Sequence, residues 1–178
     1  MNKKAQFYFL SAIIFASVFV AVITVSNKAT YSGSPSYLDE GGEIDTELSF
    51  LFDYFAREGI SDEISKNILI NFSNSYLQKF GIEKEVFFLF GKNESLILLG
   101  NKNEGTTLTI DSGLGAVVVS NMSNFQNTYD FVGNTTILTL DGVNYSSNFY
   151  QGQNFYYLIK YIHNEQNFVK SGGTSPLF

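Results

Sequence analysis

Glu85–Leu99, EVFFLFGKNESLILL, is the stretch on which the fold turns. Two short apolar runs, Val86–Phe90 and Ser95–Leu99, flank Gly91-Lys92-Asn93-Glu94. Short runs of β-branched, aromatic and aliphatic residues around a Gly- and Asn-containing turn predict a β-hairpin. The rhythm continues downstream. Thr106–Ile110 and Ala116–Ser120 enclose the glycines of Asp111-Ser112-Gly113-Leu114-Gly115. Thr135–Leu140 and Val143–Ser147 flank Asp141-Gly142, a pair suited to a two-residue type I′ turn. Phe155–His163 and Gln166–Lys170 form a last hairpin across Asn164-Glu165. Residues 121–134 read as polar and irregular. The pattern predicts about 7–8 strands at roughly ten-residue spacing, an antiparallel sheet or sandwich.

Upstream the period changes from two to 3.6. Leu48, Leu51, Phe52 and Phe55 make one stripe on a helix over Thr46–Glu58, which Gly59 stops. Ser61 is placed to cap a second helix over Asp62–Phe80, striped by Ile64, Ile68, Phe72, Tyr76 and Phe80 and closed by Gly81. The fold class expected is α+β: a helical hairpin covering one face of the sheet, behind an N-terminal transmembrane helix.

That transmembrane helix is read from Phe7–Val25, FYFLSAIIFASVFVAVITV, 19 residues without a charge. As a helix it spans roughly 28 Å, close to the ~30 Å of bilayer hydrocarbon. Lys3 and Lys4 lie before it and only Lys28 close behind, so the N-terminus stays in the cytoplasm and the remainder lies outside. The expected organisation is a leader at 1–6, the membrane helix at 7–25, a Ser/Gly/Pro linker at 26–44, an exterior domain at 45–170 and a flexible tail at 171–178. Glu40, Glu43, Asp45 and Glu47 crowd the end of the linker. They offer oxygens to calcium, but their spacing matches no EF-hand loop; Asp45 or a neighbour capping the next helix is the simpler expectation.

Three fates are open to the apolar run. A removed signal peptide is shorter and needs a small-x-small site after it, for which Thr24-Val25-Ser26 is the best candidate. An uncleaved signal anchor is the second. The third comes from likeness: Lys3-Lys4-Ala5-Gln6 directly before an apolar helix resembles the class III signal peptide of archaeal type IV pilin-like surface proteins. The family form is usually Lys-Lys-Gly-Gln. The resemblance covers about the first 25 residues. It implies cleavage between Ala5 and Gln6, a helix retained in the mature protein, and a first helix that often runs well beyond the membrane. Bacterial pilins place a Glu five residues into that helix; the position is Leu10 here. Gly33, Pro35, Gly41 and Gly42 are expected to end the helix early. Ala12/Ala16 and Ser17/Ala21 have the spacing that lets membrane helices approach closely, although such helices tolerate small residues anywhere. The partners expected are the lipid bilayer and, through this helix, further copies or pilin-like subunits.

Composition narrows the rest. Removing Lys3, Lys4 and Lys28 from the 11 basic residues leaves 8 against 17 acidic ones, a formal −9 over residues 29–178. Such a surface repels nucleic-acid phosphates. No cysteine is present, which removes disulfides, thiolate metal sites and cysteine nucleophiles. His163 is the only histidine, and no nucleophile elbow, phosphate loop or dinucleotide loop appears. The reading is therefore a non-enzyme with no cofactor and no metal. Five sequons, at Asn71, Asn93, Asn121, Asn134 and Asn144, are candidate glycan acceptors on an exported surface. The aromatic run Asn148–Tyr161 is either a sugar-binding platform or ordinary sheet and core.

Overall fold

The computed structural model describes residues 36–81, 84–92, 94–120, 123–150, 152, 154–163 and 166–174. The leader, the Ala5–Gln6 junction, the apolar run, Asn93 and Asn121 lie outside them. The chain divides into two units, residues 1–39 and 40–178, and the second holds every described element except the opening residues 36–39 of the first helix.

Helices α1 (Ser36–Glu58) and α2 (Asp62–Phe80) precede nine strands: β1 (Glu85–Lys92), β2 (Ser95–Lys102), β3 (Leu108–Asp111), β4 (Ala116–Val118), β5 (Ser123–Asp130), β6 (Thr135–Leu140), β7 (Val143–Asn148), β8 (Asn154–His163) and β9 (Gln166–Thr174). They form two antiparallel sheets, ordered β5-β2-β1-β8-β9 and β4-β3-β6-β7. Among the described residues no helix is long and apolar enough to cross a membrane.

The hairpin Glu85–Leu99 forms as its sequence predicts, with Phe88 opposite Leu99 and Phe90 opposite Ile97. Both of its strands lie in the interior of the larger sheet, so successive side chains enter two different cores. Val86, Phe88, Phe90, Ile97 and Leu99 face the helices, where Ile44, Leu48, Leu69 and Tyr76 meet them. Phe87, Leu89, Leu96 and Leu98 face the smaller sheet and its Leu108, Ile110, Leu138 and Leu140. The result is three layers: helical hairpin, five-stranded sheet, four-stranded sheet. Phe155 is the hub of the first interface, with its ring 5.3 Å from Phe90, 5.6 Å from Phe88 and 5.8 Å from Phe72.

The helix ends follow their glycines. Gly59 has φ 60°, and the Ile60 N–H reaches back to the Phe55 carbonyl at 3.1 Å, the six-to-one bond of a Schellman end. Gly81 has φ 64° and donates to the Leu77 carbonyl. Ser61 occupies the N-cap of α2 with extended backbone, but its hydroxyl makes no capping bond. At Asp141-Gly142 both residues have positive φ, 51° and 81°, as a type I′ turn requires.

Four expectations need correction. Helix α1 begins at Ser36 rather than near Thr46, so residues 36–44 are helix and not linker, and Gly41 and Gly42 do not break it. Asp45 lies inside α1 and caps nothing. Tertiary contact overrides propensity here. Tyr157 donates its hydroxyl to the Gly41 carbonyl at 3.0 Å, and a Cβ on Gly41 would sit 3.2 Å from that hydroxyl, so glycine is what lets α1 come this close to the sheet. Residues 123–130 form β5, pairing with all of β2. Its polar sequence hid it, because only Phe125 on this edge strand is buried. Residues 171–174, expected in a loose tail, complete β9 opposite Phe155–Leu158. Gly172 lies under the Tyr157 ring, where a Cβ would come within 2.3 Å of the phenol oxygen.

These two glycine contexts give opposite outcomes. Gly172→Ala must displace the buried Tyr157 ring and should cost about 1–3 kcal/mol. Gly42→Ala, with open space around the added carbon, should stabilise by about 0.5–1 kcal/mol through helix propensity. Urea denaturation of the two variants measures both.

Candidate functional site

Two polar features stand out, one at an end of the sandwich and one along its side. The first is an ion network built on a buried pair, with the exposed Asp141 at its edge. Glu85 on β1 and Lys160 on β8 are directly paired in register, and their side chains are only 5% and 8% exposed. The Lys160 ammonium lies 2.6 Å from Glu85 Oε2, 2.7 Å from Asp141 Oδ2 and 2.9 Å from Thr106 Oγ1. Glu85 Oε1 accepts the Asn103 N–H at 2.7 Å, and Asp141 Oδ1 accepts the Thr107 N–H at 2.9 Å. Nearby in the chain, Lys102 donates to the Val119 carbonyl at 2.6 Å. Every charge in the network meets an opposite charge or a fixed dipole, which is the condition for tolerating burial. Burial works against the Asp141 carboxylate, but the Lys160 and Thr107 hydrogen bonds prevail and hold it below its ordinary value. Burial likewise opposes the Lys160 charge, and Asp141 and Glu85 together push its pKa up. The network joins the two sheets and needs no substrate to account for it.

The acidic residues at the head of α1 also find cations within the fold. Glu40 pairs with Lys84 at 2.5 Å and Glu43 with Lys79 at 2.5 Å. Among the described residues no group of three or more His, Asp or Glu is placed to hold a metal ion.

The second feature is a groove of about 470 Å³ between β7 and β9, the edge strands of the two sheets on one side. It forms because the residues meeting there are small. Ser171 pairs with Leu158 and Gly173 with Tyr156, so both share the inter-sheet face with those residues, and Ser146 and Ser147 approach from β7. Leu138 and Leu158 contribute apolar surface. Tyr145 and Tyr156 pack against the inter-sheet core while lining the groove. Tyr156 donates its hydroxyl to the Asn148 carbonyl, which ties β8 to the end of β7. Among the described residues none that lines it is acidic or basic. Two other hollows contrast with it: one includes Asp62, Glu63, Lys66 and Lys92, the other Glu94 and Asp130.

The candidates from sequence fall out as follows. Asn71 is exposed on α2, Asn134 is exposed just before β6, and Asn144 is exposed on β7 at the groove, its Oδ1 accepting from the Thr139 hydroxyl at 2.8 Å. His163 ends β8. The aromatic run divides: Phe149, Phe155, Tyr157 and Tyr161 are core, Tyr156 lines the groove and Tyr150 is half exposed. Sequence reasoning missed the groove as a unit, because it needs Ser171–Gly173 to be strand. No family model, no curated protein and no solved structure matches this chain.

The ion network sets the pH response. Asp141, depressed below 3.8, contributes its stabilisation in full above the ordinary carboxylate range and loses it as pH falls through its lowered pKa. Lys160, raised above 10.5, contributes fully below that value and loses its share only as pH climbs past it. Lys160→Met should cost about 3–5 kcal/mol at neutral pH by stranding Glu85. Asp141→Asn should flatten the fall of Tm below about pH 4; calorimetry across pH measures both.

Proposed function

We propose that this chain is a membrane-anchored, outward-facing structural or adhesive protein of pilin-like type, held by Phe7–Val25 in the bilayer or in a filament core. The observation that carries the reading is the uncharged run with Lys3 and Lys4 on one side and an acidic domain on the other. A helix apolar on every side needs lipid or other apolar helices around it. The resemblance of Lys3-Lys4-Ala5-Gln6 to a class III signal peptide adds processing before Gln6 and retention of the helix. Gly41 and Gly42 lie within α1 and place no break there, so one objection to a first helix running past the membrane is removed; Gly33 and Pro35 lie outside the described residues. Helix α1 starts shortly after the apolar run, and its Ile44, Leu48 and Phe55 seat in the core against the five-stranded sheet.

A second reading is a lone signal-anchored binding module for a solute, a polysaccharide or a partner protein. The uncharged groove between β7 and β9 favours it. Both readings share the anchor and differ in whether the helices assemble.

Mass determination on native, membrane-extracted protein tests the reading. The expected chain begins at Gln6. A chain that keeps Lys3 and Lys4 removes the filament version and leaves the lone anchor. Recovery from the soluble fraction of a chain starting beyond Val25 removes the anchor altogether. Glycopeptide mapping of the same material should find a glycan on at least one of Asn71, Asn134 and Asn144, which are exposed; five unmodified sequons would defeat that expectation.

A further inference from the structure

We propose that the groove between β7 and β9 is a binding site for a neutral oligosaccharide. Its chemistry fits the amphipathic character of a sugar ring. Tyr145 and Tyr156 supply flat apolar faces with polar tips, suited to the C–H surface of a pyranose. Ser147, on the same face of β7 as Tyr145, and Ser171 supply hydroxyls that both donate and accept, as sugar hydroxyls require. The volume of about 470 Å³ falls within the range of small-ligand pockets.

Charge selects against other ligands. Among the described residues the groove has no carboxylate to hold a cation and no ammonium or guanidinium to hold an anion. The whole chain carries a formal −6, so its field disfavours anionic ligands. Burial pushes the phenols of Tyr145 and Tyr156 above their ordinary value, and they stay neutral at any physiological pH. A peptide strand is the main rival, since β7 and β9 are both sheet edges. Strand addition, however, extends a sheet in its own plane. It would leave unfilled a hollow that lies on the inter-sheet face.

The site is independent of how the chain is anchored, so its failure would not touch that reading. Asn144 lies at the groove and is itself a sequon, so a glycan there would occupy the mouth; the test uses full-length chain from a host without N-glycosylation. The protein is kept in a zwitterionic detergent, because sugar-headgroup detergents would compete. Maltohexaose, cellohexaose and the hexamer of N-acetylglucosamine are titrated calorimetrically, with a hyaluronan hexamer as the anionic control. At least one neutral hexamer should bind and hyaluronan should not. Tyr145→Ala, which removes a wall, and Ser171→Phe, which fills the space, should each weaken binding at least about tenfold. Ser171 is exposed on an edge strand, so Ser171→Phe keeps its Tm and carries the test should Tyr145→Ala lose the fold. The proposal is overturned if no neutral hexamer binds, if hyaluronan binds as tightly, or if Ser171→Phe binds like the parent. Failure of every neutral hexamer to bind, alongside tight uptake of an extended oligo-threonine peptide that Ser171→Phe abolishes, would assign the groove to strand addition and overturn it as well.

Discussion

The hairpin of β1 and β2 has no face that water can be allowed to touch. Phe88, Phe90 and Leu99 project to one side and Phe87, Leu89, Leu96 and Leu98 to the other, all essentially inaccessible. Burying each such side chain is worth about 1.5–3 kcal/mol, so leaving either face uncovered would forfeit a sum comparable to a domain's whole margin of stability. Both a helical layer and a second sheet are therefore required by the same short segment. The other elements are arranged to meet that demand. Helices α1 and α2 close one face, β3, β4, β6 and β7 close the other, and β5, β8 and β9 widen the central sheet until both covers have something to rest on.

Polar groups are admitted to this interior under two different terms. At the end marked by Glu85, Lys160 and Asp141, full charges are matched within hydrogen-bond distance, Glu85 and Lys160 buried and Asp141 at their exposed edge. Along the side where β7 meets β9, charge is excluded and space is left instead, by placing serine and glycine at positions that face the inter-sheet core. The first arrangement fixes the two sheets to each other. The second leaves an opening whose walls combine phenol rings with hydroxyls. The stabilising and the ligand-competent polar chemistry of the fold thus occupy separate places and involve different residues, apart from the shared β6–β7 hairpin.

Local signals carried much of this architecture. The turn at Asp141-Gly142, the helix stops at Gly59 and Gly81, the turn at Gly113-Leu114-Gly115 and eight of the nine strands could be read directly, because each depends on residues adjacent in the chain. Phe155 and Tyr157 were legible as core on β-propensity alone. What escaped notice depends on partners distant in sequence. Gly41 is a poor helix residue whose place is set by Tyr157, on another element entirely. Ser171-Gly172-Gly173 has the composition of a loose tail and becomes strand only because Tyr156 and Tyr157 lie beside it. β5 is polar on its outer side because it is an edge, and its two signals, Phe125 and Tyr129, are too sparse for a periodic pattern. The groove inherits that opacity, since one of its two banks was read as unstructured.

The contact between Asp141 and Lys160 has an effect on alignment as well as on strength. The Asp141 N–H donates to the Thr107 carbonyl and its carboxylate accepts the Thr107 N–H, which fixes the end of β6 against the start of β3, and the same carboxylate meets an ammonium anchored on the other sheet. Sliding β6 by one residue would turn Leu138 and Leu140 outward and, in the same step, carry Asp141 away from Lys160, which Glu85 alone would then face. The apolar face already penalises such a slip in a single step, and the ion contact adds to that penalty, so that charge acts as a checksum on how the strands are threaded.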